Sequence, residues 1–152
     1  MGAADLNIPV ATRVISFLQP PLSGAIPAAI IYEPGNAASE AEAASIERAG
    51  PLIAGKGTLR LKRVAANALG QLAGVRVAFV TSGLRDMEAQ IAAATARQSI
   101  LTITSDLGCV QAGHCAVAIS ITPRVQITVS RAAAKAANIQ FGSAFLMLVK
   151  EI

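Results

Sequence analysis

Short apolar runs with strand character alternate with helical patterns from Ala25 to Thr104, and few folds accommodate that order. Ala25 to Tyr32 reads as a buried strand, with Pro27 tolerable only near its beginning. Glu33-Pro34-Gly35-Asn36 is a turn, and Ser39 with Glu42 forms a capping-box signature that opens a helix to about Ala49. Leu59 and Leu61 alternate with Arg60 and Lys62, the two-residue period of a half-exposed strand, and the charges suit a sheet edge. Val64 to Leu72 reads as a short helix closed by Gly74. Val75 to Thr81 is almost continuously apolar, as expected of a strand covered on both faces. After Ser82 and Gly83, the residues Leu84, Met87, Ile91 and Ala94 lie on one helical stripe, and Ser99 to Thr104 is the next strand.

Strands that alternate with helices argue for a parallel sheet with right-handed crossovers. The two ends of the chain depart from that pattern. Val10 to Leu18, with Pro9 near its start, reads as a helix that Pro20 and Pro21 break. Ala116 to Ile121 and Val125 to Val129 flank Thr122-Pro123-Arg124, a tight antiparallel hairpin. Ser130 caps a helix to about Ala137, and Ser143 caps a last one running to Lys150. The expected fold is therefore a single three-layer, Rossmann-like α/β domain over 10–152. Its mostly parallel sheet of about six strands ends in an antiparallel hairpin, with helices on both faces, and residues 1–9 form an N-terminal extension.

The 152 residues are 53% hydrophobic and 14% charged, which excludes intrinsic disorder. Aromatics are only 3%, so the core is expected to consist mainly of Ala, Val, Ile and Leu. The longest apolar stretches, Ala28 to Tyr32 and Ala144 to Val149, fall far short of the roughly 20 residues of a membrane-spanning helix. No secretory apolar region precedes Asp5; Met1-Gly-Ala-Ala reads as a trimmed start from which a signal peptide has been removed. A net charge of +4 invites a nucleic-acid reading, but the basic residues are scattered, with no Trp and one Tyr to stack on bases.

No nucleophile elbow surrounds a serine, and Gly55-Lys56-Gly57 lacks the third glycine and the preceding strand of a phosphate loop, so catalysis is not expected. Cys109, His114 and Cys115 supply only three metal-ligand candidates with poor tetrahedral spacing, so no metal is expected. The same two cysteines flank a short loop in which Gly113 permits the tight reversal a bridge requires. They read as a disulfide of an exported protein or as two thiols of a cytosolic one, and pairing and export support each other. In an open parallel sheet, ligands favour the crevice beyond the carboxyl ends of the strands. Those ends carry Glu33 and Asn36, then Thr81 and Ser82, then Ser105 and Asp106, a ligand crevice or, more plainly, ordinary caps and turns.

The carboxyl-terminal half carries a resemblance. Ser99-Ile-Leu-Thr-Ile-Thr-Ser-Asp106, the Gly- and Cys-bearing loop, the hairpin, Arg124 to Ile139, and Phe141-Gly-Ser143-Ala-Phe-Leu146-Met-Leu148 together resemble the YfiR family. The Ala25-to-Glu33 and Val75-to-Val80 strands fall in the expected order, so the resemblance runs from about Val10 to the end. Departures are Phe17-Leu-Gln-Pro-Pro21 in place of an aromatic-rich segment, Thr128 or Ser130 in place of an asparagine, and the lack of a second cysteine pair. The resemblance implies a periplasmic, often dimeric domain without catalytic chemistry or cofactors. Such a domain binds the outer portion of an inner-membrane diguanylate cyclase, or a sensor kinase in a related arrangement, and represses cyclic di-GMP signalling until redox or envelope stress releases it. The hydrophobic segment with Phe145, Leu146, Leu148 and Val149 adds to the expectation of a homodimer. The competing expectation is a small-ligand-binding periplasmic protein that serves a transporter or a sensor kinase.

Overall fold

A computed structural model describes residues 6–152. Residues 1–5 of the expected extension lie outside the described residues; Leu6 is buried in the core and Ile8 and Pro9 open the first helix. In chain order the elements are α1 (Ile8–Ser16), β1 (Ser23–Tyr32), α2 (Ala37–Arg48), β2 (Leu52–Ala54), β3 (Lys56–Ala65), a 3₁₀ turn (Leu69–Leu72), β4 (Val77–Val80), α3 (Glu88–Arg97), β5 (Leu101–Thr104), α4 (Leu107–Gln111), β6 (Val117–Ser120), β7 (Gln126–Val129), α5 (Arg131–Ala136), α6 (Ser143–Leu146) and β8 (Lys150–Glu151). One sheet runs in the order β2-β3-β1-β4-β5-β6-β7-β8. β3, β1, β4, β5 and β6 are mutually parallel, β6 and β7 form the antiparallel hairpin, and β2 runs antiparallel to β3.

Burial explains the composition of the central strands. Every residue of β4 and β5 is buried, because both faces of the sheet are covered. One core contains Ile30, Phe79, Ile103 and Ile119 of the sheet with Val14 and Ile15 of α1, Ile46 of α2 and Phe145 of α6. The opposite core contains Ile31, Val80 and Ala118 with Ile91 and Ala94 of α3 and Val110 of α4. The three layers are those expected.

The sheet has eight strands rather than about six. β2 pairs only Leu52–Ala54 with Leu59–Gly57, and β8 only Lys150 and Glu151 with Thr128 and Val129; neither carries a local pattern long enough to announce itself. Three helix expectations also change. Val64 and Ala65 continue β3, and only Leu69–Leu72 turns, because β1 offers backbone partners as far as Tyr32. α2 is capped by Asn36, whose Oδ1 accepts the Ser39 N–H at 3.2 Å, so Ser39 lies inside the helix. The last helix stops at Leu146 and is preceded by Gly142 with no side-chain cap, so Ser143 does not cap it. Lys150 is in β8, whose neighbours exchange hydrogen bonds with β7 and α5 (Ile152 N–H to Val129 O at 2.9 Å, Arg131 N–H to Ile152 O at 3.0 Å). By contrast, Ser130 caps α5 as expected, accepting the Ala133 N–H at 3.1 Å.

Candidate functional site at the carboxyl ends of the strands

β1, β4 and β5 run parallel, so the residues that follow them gather at one end of the sheet. The structure brings the six crevice residues there, Glu33, Asn36 and Thr81 linked through Ser39, Ser82 and Ser105 linked through Glu42, and Asp106 bonded only to its chain neighbours. Asn36 Nδ2 donates to Glu33 Oε1 at 3.0 Å and reaches Gly83 O at 3.4 Å. Thr81 Oγ1 donates to Ile31 O at 2.9 Å and lies 2.7 Å from Ser39 Oγ, which itself accepts the Glu33 N–H at 2.9 Å. The Ser82 N–H donates to Glu42 Oε1 at 2.7 Å, and Ser105 Oγ donates to Glu42 Oε2 at 2.8 Å. Asp106 Oδ1 caps α4 by accepting the Gly108 N–H at 3.0 Å.

Glu42 is the residue that organises this end, and sequence reasoning assigned it only to a capping box. It is 4% exposed and spans the starts of two loops that follow neighbouring strands. Its signal was present in the spacing: Ser39, Glu42, Ala43 and Ile46 recur at i, i+3, i+4 and i+7, which places the carboxyl on the buried face of α2.

Beside this network stands the cysteine loop. Cys109 and Cys115 form a disulfide with both residues buried, and Gly113 takes a positive φ of 77° where the chain reverses between them. With their sulfurs bonded to each other, the two cysteines are not thiolate donors, so the trio with His114 offers no metal set of the kind considered from sequence. His114, inside the ring, faces Glu88 of α3: Nδ1 lies 3.8 Å from Glu88 Oε1, and that nitrogen is buried without a hydrogen-bond partner. Burial, and next the charge of Asp106, hold the Glu88 carboxyl above the usual carboxylate range, while His114 and Arg85 pull it back. Glu88 also escaped sequence reasoning, although it shares the buried stripe of α3 with Ile91 and Thr95.

This end of the molecule is therefore a cross-linked polar surface over two loops, with a covalent ring at one side. It can present a fixed shape to a partner. Thr81 excepted, the six crevice residues are all partly exposed.

The profile of the family described as YfiR/HmsC-like matches residues 30–150. Among curated proteins no sequence match is found. Three solved structures share the fold at low identity. A conserved domain protein from Vibrio cholerae O1 biovar El Tor is 13% identical and superposes with a TM-score of 0.68, covering 97% of this chain and 61% of that one. The ligand-free, open structure of CD0873, a substrate binding protein with adhesive properties from Clostridium difficile, is 10% identical with a TM-score of 0.67, covering 84% of this chain and 54% of that one. An ABC domain from Streptococcus pneumonia in complex with L-Trp is 11% identical with a TM-score of 0.66, covering 92% and 58%. This chain thus spans only somewhat more than half the length of the structures it resembles.

Proposed function

The chain belongs to the YfiR/HmsC-like family, and from that membership we propose that it is a periplasmic regulatory protein that represses an inner-membrane diguanylate cyclase by protein–protein contact. The observation that carries the reading is the family match over residues 30–150, which takes in the whole strand-end network and the disulfide loop. The protein acts by binding, and the cross-linked loops after β1, β4 and β5 present a preformed contact surface to the outer portion of the cyclase. A surface that is already ordered loses little conformational entropy on association.

In this reading the Cys109–Cys115 bridge sets the binding state. Reduction frees the loop that carries His114, loosens one region without unfolding the domain, and releases the partner. Both sulfurs are buried, so reduction follows local opening of the loop, and the response is slower than that of an exposed bridge. The regulator acts as a homodimer, and a concentration-independent monomer mass in sedimentation would refute that part.

The test is expression of the exported protein together with the membrane cyclase that it captures, with cyclic di-GMP as the readout. Levels several-fold lower in the presence of the protein are expected; unchanged levels sink the repressor reading. Replacement of both cysteines with serine is expected to relieve repression while the protein stays folded. Full repression by that variant removes the redox part alone. The second reading, a small-ligand-binding protein of a transporter or sensor kinase, rests on the position of Glu33, Asn36, Thr81, Ser82, Ser105 and Asp106 at a parallel sheet's carboxyl end. The engagement of these residues in hydrogen bonds within the protein favours the contact surface, and a saturable calorimetric titration with a small metabolite would favour the ligand.

A further inference from the structure

A second region of the surface, where β6 turns into β7, carries an apolar projection that no described element covers. Val125, in the β6–β7 turn, is 51% exposed, and Met147 and Leu148, in the turn after α6, are 85% and 74% exposed. Two adjoining clefts share Val125 and Leu148, so these turns lie side by side. The cations Arg124 and Lys150 line one cleft and Arg13 lines the other; no acidic residue lines either. Among the described residues the basic side chains that meet a carboxyl are Arg63, at Glu47, and His114, at Glu88, so Arg13, Arg124 and Lys150 have no carboxylate partner there. From Leu107 to the end, the sequence has four cations (Arg124, Arg131, Lys135, Lys150) and a single acidic residue, Glu151.

We propose that this face docks on an anionic bilayer surface, with Met147, Leu148 and Val125 entering the headgroup region and Arg13, Arg124 and Lys150 meeting lipid phosphates. The chemistry of the two parts decides the occupant. Apolar side chains that project from turns suit insertion into a soft interface, and cations beside them gain from the negative potential of the leaflet. A free phosphate would engage the cations and leave the apolar tips in water. No described helix is long and apolar enough to cross a membrane, and the proposed attachment is made by these exposed turns. The proposal does not depend on the regulatory reading; such docking would restrict the protein's search for a membrane partner to two dimensions.

The test is flotation of the full chain with vesicles of phosphatidylglycerol and phosphatidylethanolamine, compared with phosphatidylcholine alone, at low and high salt. Binding to the anionic vesicles that weakens with salt is expected, with little binding to the neutral ones. R124Q and K150Q are each expected to lower affinity roughly fivefold, the fold-change of one charge near such a surface. M147S/L148S is expected to lose most binding while its melting temperature stays that of the wild type, since both side chains are exposed. Three results would overturn the proposal: no flotation at low salt, equal binding to both vesicle types, or wild-type flotation by M147S/L148S. Loss of a dimer mass in sedimentation by that variant, with no vesicle binding by the wild type, would instead give the face to a second copy of the chain. Cyclic di-GMP is not read in this experiment, so its failure leaves the repressor reading standing.

Discussion

Removal of the Glu42 side chain tests whether one buried carboxyl holds the strand-end loops together. Glu42 accepts the Ser82 N–H at 2.7 Å and the Ser105 hydroxyl at 2.8 Å, linking α2 to the loops after β4 and β5. In Glu42→Ala the backbone donor of Ser82 loses its acceptor, which costs about 1–3 kcal/mol, and loss of the bond to the partly exposed Ser105 costs about 0.5–1.5 kcal/mol. The expected destabilisation is about 3 kcal/mol. With a urea slope of about 2 kcal/mol per molar, the unfolding midpoint falls by roughly 1.5 M. Glu42→Gln keeps a carbonyl oxygen for Ser82, and its amide can donate to the Ser105 hydroxyl, so its cost is expected to stay near 1 kcal/mol. Urea unfolding followed by circular dichroism, with the disulfide intact, separates the two variants. If Glu42→Ala and Glu42→Gln unfold at the same midpoint, the two hydrogen bonds do not carry this end of the fold.

Cys109→Ser with Cys115→Ser opens a ring with a sequence separation of six and is expected to cost about 2.4 kcal/mol on chain-entropy grounds, with near-ultraviolet dichroism retained; an unfolded double variant would show that the bridge is needed for the fold itself. Glu88 has its carboxyl pushed up by burial, so its contribution to stability is present below the unfolded value of about 4.3 and is lost as pH rises through the higher folded value. Glu88→Gln removes that loss, so the wild type is expected to decline relative to the variant in melting temperature from pH 4 to pH 7; parallel pH profiles would refute this. Gly57 lies against Ile26 of the neighbouring strand, where an added Cβ meets the Ile26 side chain and comes within 3.3 Å of Gly24 O. Gly57→Ala is expected to destabilise by about 1–3 kcal/mol, and Ile26→Val in the same chain to recover part of it in thermal melts; additive effects would show that the two do not meet.

Much of the fold was legible because each main element writes its buried face into its own spacing. The continuous apolar character of β4 and β5 required cover on both faces, and both faces are covered. The hairpin of β6 and β7 stood on two apolar runs and a short proline turn. Parallel topology alone sends Glu33, Asn36, Thr81, Ser82, Ser105 and Asp106 to one end of the sheet. Their partners were not placed. Ser39 and Glu42 fit a local cap, yet Asn36 took that role, and the two side chains turned to Thr81, Ser82 and Ser105.

What the sequence determined by itself is the alternation of the main strands and helices and the side of the sheet on which the polar loops lie. These follow from periodicity, turn chemistry and chain direction, which act over a few residues. What only the tertiary structure decided are contacts between distant residues: Glu42 and Ser105 are 63 positions apart, and His114 meets Glu88 across two elements. The same holds for β2 and β8, which exist because an adjacent strand offers unpaired backbone groups to two or three residues with no strand pattern of their own. The apolar carboxyl-terminal segment was divided in the same way. Phe145 is enclosed by Phe17 and Phe141, with ring centroids at 5.1 and 4.7 Å, while Met147 and Leu148, equally apolar in sequence, are left outside. Hydrophobicity says that a side chain favours burial; whether a neighbouring surface is there to bury it is a property of the assembled fold.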